Sequence, residues 1–250
     1  MYSIVADIVD GKIMGRNNYG HIGHLPGSRL GPSDRKCSPG QVKMATEKVP
    51  GKNYFVICQE KLDGSNVGVF KKDGVLYPIT RRGYHAMTSP YQMHHEFARW
   101  VQINSERFDK VINDGERIVG EWLYQAHGTR YDLPHEPFVA FDIMRENERL
   151  IFSDFNDRIL VSGFTAPGLI SIGSPISIDD AVLALGNRGF HGAIDKPEGA
   201  VWRIEKKYPT GKTKVIDLVK FVRCDKVDGC YFGLGDSITK NTVNGKEILI

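Results

Sequence analysis

The sequence predicts an α+β fold built mainly on antiparallel sheet. Strand-like segments outnumber helical ones, and "SNVGVFKKDGVLYPITRRG" indicates a hairpin that turns at Asp73-Gly74. The helical segments are interspersed without a regular βαβ rhythm. These patterns favour a single domain over residues 1–250, with a core at about 55–225 and a loop-rich N-terminal extension at 1–52.

The elements follow in order from local patterns. The stretch "GHLPGSRLGPSDRKCSPGQ" is typical of a long irregular loop, and "YFVICQEK" predicts a short apolar strand before the hairpin. Apolar residues at helical spacing in "YQMHHEFARWVQINSERFDKVI" predict one long amphipathic helix. Strands are expected at "ERIVGEWLY" and "PFVAFDIM".

Two later helices and two strands complete the prediction. Ser153 is the expected cap of one helix, and Ser177 is the expected cap of the next. Asp180 completes a capping-box pattern with Ser177, and Gly186 ends that helix. The last strands are "GAVWRIEKK" and "KVIDLVKFVR".

The composition excludes several classes of protein. With 41% hydrophobic and 25% charged residues, the chain is typical of a globular protein, and no apolar run is long enough to cross a membrane. We therefore expect a cytoplasmic protein, located in the host cytoplasm if it is viral. We expect it neither to bind a membrane nor to need an obligatory protein partner. Four cysteines without a Cys-x-x-Cys pair suggest neither a zinc site nor a disulfide framework. The basic cluster between Val201 and Lys226 is either a solvated face or a phosphate-binding surface.

A lysine, a spacer residue and Asp-Gly occur three times, at Lys61, Lys71 and Lys226. Lys71 lies at the hairpin tip, where a solvated side chain is expected, and Lys226 is interpreted as part of another turn. Lys61 differs because it ends an apolar strand and precedes a series of short polar motifs.

Those motifs are "EKLDGSN", "TRRG", "VGEWL", "VAFDI", "PEGAV" and "DLVKFVR", in that order. The series resembles motifs I, Ia, III, IIIa, IV and V of the covalent nucleotidyltransferase superfamily, which includes polynucleotide ligases and mRNA capping enzymes. The resemblance implies an antiparallel-sheet, ATP-grasp-like nucleotidyltransferase domain. It implies no OB-fold domain, since too few residues follow Arg223 to make one.

Asn66 indicates which group of enzymes within this superfamily the chain resembles. DNA ligases and capping enzymes usually carry Arg two positions after the motif I glycine, whereas RNA ligases of the phage RNA ligase 2 type carry Asn. The resemblance therefore implies an ATP-dependent RNA ligase that joins 5′-phosphate and 3′-hydroxyl ends through a lysyl-AMP intermediate, with Mg²⁺ or Mn²⁺. A minimal DNA ligase, a GTP-using capping enzyme and an inactive RNA- or nucleotide-binding relative are the alternatives.

The resemblance also assigns roles to residues. Lys61 is the implied nucleophile, Glu60 contacts the adenine amino edge, and Glu121 binds the ribose hydroxyl. Phe141 stacks on the base, although an apolar strand also suits a core Phe. Arg81 binds ribose or RNA phosphate, and its neighbour Arg82 competes for that role.

The remaining implied roles concern charge. Glu198 holds a divalent cation through water, and Lys220 neutralises charge on the α-phosphate. Glu121 and Glu198 could instead be acids in surface ion pairs. Asn66, Arg81 and Arg223 are the implied RNA contacts.

Some features of the sequence stay open. Asp63 either binds metal or caps the turn after Lys61, and His94 and His95 are interpreted as ordinary packing or surface residues. Motif V departs from the usual Lys-x-Lys, because Val222 stands at the second lysine position. The loop "HIGHLPGSR" is either a surface turn or a site where His24, Ser28 and Arg29 reach a triphosphate or an RNA 5′-phosphate; these three residues are the candidates.

Overall fold

The computed structural model describes residues 4–233 and 238–250. Within them the strands form a six-stranded sheet, a five-stranded sheet and a small three-stranded sheet. The α+β class predicted from the sequence is confirmed. The strands are β1 (Ile4–Val5), β2 (Gly23–His24), β3 (Tyr54–Lys61), β4 (Ser65–Lys72), β5 (Val75–Thr80), β6 (Glu116–Trp122), β7 (Asp132–Leu133), β8 (Phe138–Arg145), β9 (Glu148–Arg149), β10 (Leu169–Gly173), β11 (Gly199–Lys207), β12 (Thr213–Val222), β13 (Thr242–Val243) and β14 (Lys246–Glu247).

Five α-helices lie within the described residues, together with one 3-10 turn at Ala86–Thr88. The helices are α1 (Pro39–Thr46), α2 (Gln92–Ile103), α3 (Ser105–Val111), α4 (Phe152–Ser162) and α5 (Ile178–Leu185). Apolar side chains of α2, α3 and α4 pack against the six-stranded sheet, and those of α1 and α5 pack against the five-stranded sheet.

Both large sheets are mainly antiparallel. The six-stranded sheet has the order β1-β5-β4-β6-β8-β9, and the five-stranded sheet has the order β10-β3-β11-β12-β2. In each sheet an edge strand from the N-terminal segment pairs in parallel, β1 with β5 and β2 with β12. Two short strands within residues 4–52 therefore pair with strands of the core.

The hairpin between β4 and β5 is confirmed. Asp73 and Gly74 both have positive φ, at 52° and 75°, which suits the tight turn of a two-residue hairpin. Lys71 is not the solvated tip that the sequence predicts. Its ammonium lies 2.8 Å from the Asp109 carboxylate, and it also donates to the Ile112 carbonyl, so it ties the hairpin to α3.

The predicted long helix is in fact two helices separated at Asn104. This residue leaves the helical conformation, at φ −102° and ψ 17°, and its side-chain amide donates to the Trp100 carbonyl. Asparagine side chains compete for backbone groups in this way, so they favour helix ends over helix interiors.

Two further helix starts differ from the sequence prediction. The cap residue of α4 is Ile151 rather than Ser153, and the carboxylate of Glu205 accepts the Phe152 N–H at 2.6 Å. Helix α1 begins inside the stretch expected to be an irregular loop, with Ser38 as its cap. The Ser177 cap of α5 and its end at Gly186 are confirmed.

Among residues 4–233 and 238–250, no helix is both long and apolar enough to span a bilayer.

Candidate active site

A cavity of about 940 Å³ lies between the two large sheets. Residues of β3, β11 and β12 line it from one sheet, and residues of β4, β5, β6 and β8 line it from the other. The cavity holds Lys61 and most of the other residues that the sequence singles out, so the ordered motifs converge on one place.

Lys61 is the last residue of β3 and projects into this cavity. Its Nζ lies 2.5 Å from Oε2 of Glu198, and about a fifth of the side chain is exposed, at 21%. The amine is thus partly shielded from water yet open to a ligand in the cavity.

Glu198 reaches Lys61 because of strand register. Gly199, the first residue of β11, pairs directly with Lys61 in β3. A side chain at Gly199 would lie 2.0 Å from the Phe221 carbonyl oxygen, so the close approach of β11 to β12 requires glycine there. Burial raises the pKa of Glu198, but the charges of Lys61 and Lys226 outweigh burial and hold that pKa below its usual value.

Lys226 lies among turn residues, as the sequence predicts, but it also belongs to the site, which the sequence did not predict. Its side chain is only 4% exposed, and its Nζ lies 2.7 Å from Asp63 and 2.6 Å from Glu198. Burial alone would lower its pKa, but the carboxylates of Glu198 and Asp63 more than compensate and raise it. The unusual Val222 in motif V was the signal that another lysine should be sought nearby.

Asp63 belongs to the same cluster. One of its oxygens accepts from Lys226, and the other accepts the Gly128 N–H at 2.7 Å. The interpretation of Asp63 as a simple turn cap is therefore incomplete, since its carboxylate joins the turn after Lys61 to the loop after β6.

Glu121 and Asn66 face each other across β6 and β4 and line the cavity. Glu121 accepts the Gly64 N–H at 3.0 Å, and burial raises the pKa of Glu121 to about 7 despite the nearby positive charge of Lys61. Oδ1 of Asn66 is buried and has no hydrogen-bond partner among the described residues. Both side chains offer polar atoms to a ligand.

Phe141 lines the cavity and is held from behind. Tyr19 packs edge-on against it, with ring centroids 5.2 Å apart. The next residue, Asp142, is fully buried and accepts from Arg203 at 2.6 Å, from Arg149 at 2.9 Å and from Tyr19 at 2.9 Å. These bonds join β8 to β11, so the ring has a fixed position at the cavity wall.

Glu60 lies on the cavity wall and is 2% exposed. Its Oε2 accepts the Phe190 N–H at 2.7 Å, whereas Oε1 is buried without a partner in the described structure. Burial raises the pKa of Glu60 to about 7, although the Phe190 hydrogen bond acts in the opposite direction. Gly189 has φ 55°, and a Cβ there would be 2.0 Å from Oε1 of Glu60, so this contact requires glycine.

Three basic side chains add positive charge to the lining. Lys220 lies in β12, and burial followed by the charge of Lys61 lowers its pKa to about 8. Arg81 and Arg82 follow β5, and both are exposed and line the cavity. The structure brings both arginines to the site, so the preference for Arg81 stays a prediction.

Arg223 is not among the residues that line the cavity, and its role as an RNA contact stays a prediction. Its guanidinium donates to the Pro197 and Lys196 carbonyls and to the Asp225 carboxylate, and these bonds occupy it within the chain. Val222 lies beside it, buried, with its N–H donated to Ser28.

The loop that contains His24, Ser28 and Arg29 supports β12 from outside the cavity lining. His24 bonds Ser28 at 2.7 Å and contacts Asp34 at 3.2 Å, while Arg29 pairs with Asp228 at 2.9 Å. Both interpretations of this loop, a surface turn and a contact with a triphosphate or an RNA 5′-phosphate, stay predictions. His95 bonds the Ser89 carbonyl, whereas His94 lines the cavity.

The two-sheet fold, a cavity lined by Lys61, Glu121, Phe141 and Lys220, and the pairing of Lys61 with Glu198 are features of the class of covalent nucleotidyltransferases. Within that class the family model described as RNA ligase matches residues 55–222, which is more than half of the chain. The chain belongs to the RNA ligase family.

Two solved structures are similar to this chain, and the first of them supports the fold. A Naegleria gruberi RNA ligase mutant with AMP and Mn is 14% identical, with a TM-score of 0.50 over 80% of this chain and 59% of that one. An archaeal ATP-dependent RNA ligase is 22% identical, with a TM-score of 0.44 over 67% of this chain and 42% of that one. This chain therefore spans about two fifths to three fifths of these proteins. A comparison with curated protein sequences found no match.

Replacing Lys226 with methionine should lower the free energy of unfolding by about 3–5 kcal/mol, because Asp63 and Glu198 would be left buried without their shared cation. Urea unfolding measures this change. The matched control is Asp228→Asn, which removes an exposed partner 3.5 Å from the same lysine and should cost less than about 1 kcal/mol. Equal, small effects of both changes would contradict the assigned role of Lys226.

Replacing Glu60 with glutamine should change how stability depends on pH. In the folded protein the pKa of Glu60 is about 7 rather than 4.5, so between these pH values the folded state keeps a proton that the unfolded state has released. The wild type should therefore lose up to about 3 kcal/mol relative to Glu60→Gln as the pH rises from 4.5 to 7. Urea unfolding at several pH values tests this, with exposed Glu106→Gln as the control. Parallel pH profiles of wild type and Glu60→Gln would contradict it.

Proposed function

We propose that this chain is an ATP-dependent RNA ligase that joins a 5′-phosphate to a 3′-hydroxyl through a Lys61–AMP intermediate. The single observation that carries the proposal is the placement of Lys61 against Glu198, inside a cavity that also presents Glu60, Phe141 and Lys220. A lysine amine is the nucleophile that forms such a phosphoramidate, and the family to which the chain belongs supplies the substrate class.

The first step attaches AMP to the protein. The neutral amine of Lys61 attacks the α-phosphorus of ATP, so an N–P bond forms and the P–O bond to pyrophosphate breaks. The proton leaves Lys61, and Glu198, at 2.5 Å, is the nearest carboxylate to receive it or pass it on. Lys220 lines the same cavity and would stabilise the negative charge that develops on the phosphate.

The later steps transfer the nucleotide to RNA and close the strand. An oxygen of the RNA 5′-phosphate displaces Lys61, which breaks the N–P bond and forms a diphosphate linkage to AMP. The 3′-hydroxyl then attacks the 5′-phosphorus, and AMP leaves. Each displacement requires in-line approach, so the side chains that fix the phosphates determine the rate.

Adenine would occupy the side of the cavity that Glu60 and Phe141 line. The unpaired, buried Oε1 of Glu60 can accept a hydrogen bond from the adenine amino group. Phe141 offers a ring for stacking, and Asp142 and Tyr19 behind it keep that ring in place. Glu121 can accept from a ribose hydroxyl.

The site suits a divalent cation that is held through water rather than by direct protein ligands. Within the described ranges, no three His, Cys, Asp or Glu side chains are grouped so that they could hold a metal directly, and both oxygens of Glu198 face ammonium groups. Glu198 would therefore hold the ion through water, which suits Mg²⁺ because it keeps several water ligands. When bound, the ion would supply charge neutralisation for the phosphates.

The assignment to the phage RNA ligase 2 type rests on Asn66, which lines the cavity. A cytoplasmic location and the organisation of residues 1–250 as one domain stay predictions.

Incubation with α-labelled ATP and Mg²⁺ should label the protein covalently, and Lys61→Ala should abolish the label. The matched control is Lys71→Ala, which changes the same tetrapeptide at a lysine paired with Asp109 and should label normally. Chelation of the metal should also prevent labelling.

The competing functions predict different results in the same assay. Label from GTP alone would indicate capping chemistry, and a label that survives in Lys61→Ala would contradict the nucleophile. Sealing of nicks whose 3′-hydroxyl strand is RNA, but not DNA, is expected. No label from either nucleotide would indicate an inactive relative.

A further inference from the structure

Four aromatic side chains that line the cavity have no role in the proposed reaction steps. They are Tyr91, His94, His127 and Phe232, and we call them the aromatic wall. Tyr91 precedes α2, His94 lies in its first turn, and His127 and Phe232 come from loops. Separate segments of the chain thus meet at one end of the site.

The rings contact one another by their edges. Tyr91 meets Phe232 at 5.6 Å and 70°, Tyr91 meets His94 at 6.0 Å and 84°, and His127 meets Phe232 at 4.8 Å and 81°. In each T-shaped contact the edge of one ring meets the face of the other, so every contact leaves the faces of one of its two rings uncovered by the partner. Tyr91 is 41% exposed, which agrees with an open face.

The wall is fixed next to the nucleophile. Gly128, adjacent to His127, donates its N–H to Asp63, two residues after Lys61. The His127 carbonyl accepts the Tyr231 N–H at 2.8 Å, which holds Phe232 against His127. On the other side, Ser65 bonds the Met93 sulfur at 3.2 Å and ties the start of α2 to β4. A ligand on the wall would therefore lie close to the reacting phosphate.

The wall is uncharged at neutral pH. Burial and nearby histidines lower the pKa of His94 to about 4. Burial also lowers the pKa of His127; the charges of Lys226 and Lys61 add to this effect, and Asp63 and Glu198 oppose it. The basic side chains of the lining, Lys61, Lys220, Arg81 and Arg82, come from β3, β12 and the residues after β5. The wall therefore suits a stacked base better than a pyrophosphate.

We propose that the aromatic wall stacks the terminal nucleobase of the RNA strand that carries the 3′-hydroxyl. This inference rests on the proposed ligase function. The 5′-end has a phosphate by which the basic side chains can hold it, whereas a 3′-hydroxyl end has no terminal phosphate and depends more on its base. Nε2 of His127, buried and without a partner among residues 4–233 and 238–250, is available to bond the base edge or the ribose.

The test uses the full chain and a short RNA with 2-aminopurine as its 3′-terminal base, whose fluorescence falls on stacking. The wild type should quench it, and Tyr91→Ala and Phe232→Ala should each weaken binding about 5–150-fold, the range expected for loss of one stacked aromatic. Tyr91→Phe should retain quenching. Tyr208→Ala is the matched control, because Tyr208 is a similarly exposed tyrosine (37%) that contacts Lys206 rather than the cavity. Thermal unfolding of each variant shows that it is folded.

Two results would overturn the proposal. One is unchanged quenching in both folded variants, and the other is an effect confined to an RNA that carries the reporter at its 5′-phosphate end. The binding assay needs no catalysis, so it separates this inference from the proposed function. A chain that quenches the 3′-end reporter but forms no Lys61 adduct would contradict the ligase function and leave the aromatic wall in place.

Discussion

The candidate site depends on a buried cluster of four charges, formed by Lys61, Lys226, Asp63 and Glu198. Each of these charges would be costly in the interior without a partner, and together they are neutral. The pairing of Gly199 with Lys61 places Glu198 in the cluster, and Gly128 fixes Asp63. In the proposed adduct Lys61 would lose its charge, and Lys226 would still contact both carboxylates, which would then share one cation. The cluster can therefore lose one positive charge without leaving both acids unpaired.

The two sheets have different tasks around this cluster. The five-stranded sheet carries the lysines at 61 and 220, and the six-stranded sheet carries Glu121 and Phe141. The bond from Arg203 to Asp142, at 2.6 Å and fully inside the protein, joins the sheets behind Phe141. The residues that line the cavity come from both sheets. Along the sequence the motifs begin in the five-stranded sheet at β3, continue in the six-stranded sheet from β5 to β8, and return to the five-stranded sheet at β11 and β12.

Much of this could be predicted from the sequence, because strands and tight turns leave local signals. Apolar runs and alternation located β3, β6, β8, β11 and β12, and Asp73-Gly74 located a hairpin. The predictions that were wrong involve contacts between residues that are distant in sequence. The cap of α4 is supplied by Glu205, and the burial of Lys226 depends on Asp63 and Glu198. The break at Asn104 and the start of α1 at Ser38 did carry local signals, but apolar periodicity and a Gly- and Pro-rich composition outweighed them in the interpretation.

Lys226 brings a positive charge to Glu198 from outside the motif V strand. In this protein Val222 occupies the strand position where a second motif V lysine is usual, and the loop beyond the strand brings an ammonium group to Glu198 instead. Active and inactive members of this family are therefore better distinguished by the positions of charged side chains in space than by the residue types at aligned sequence positions.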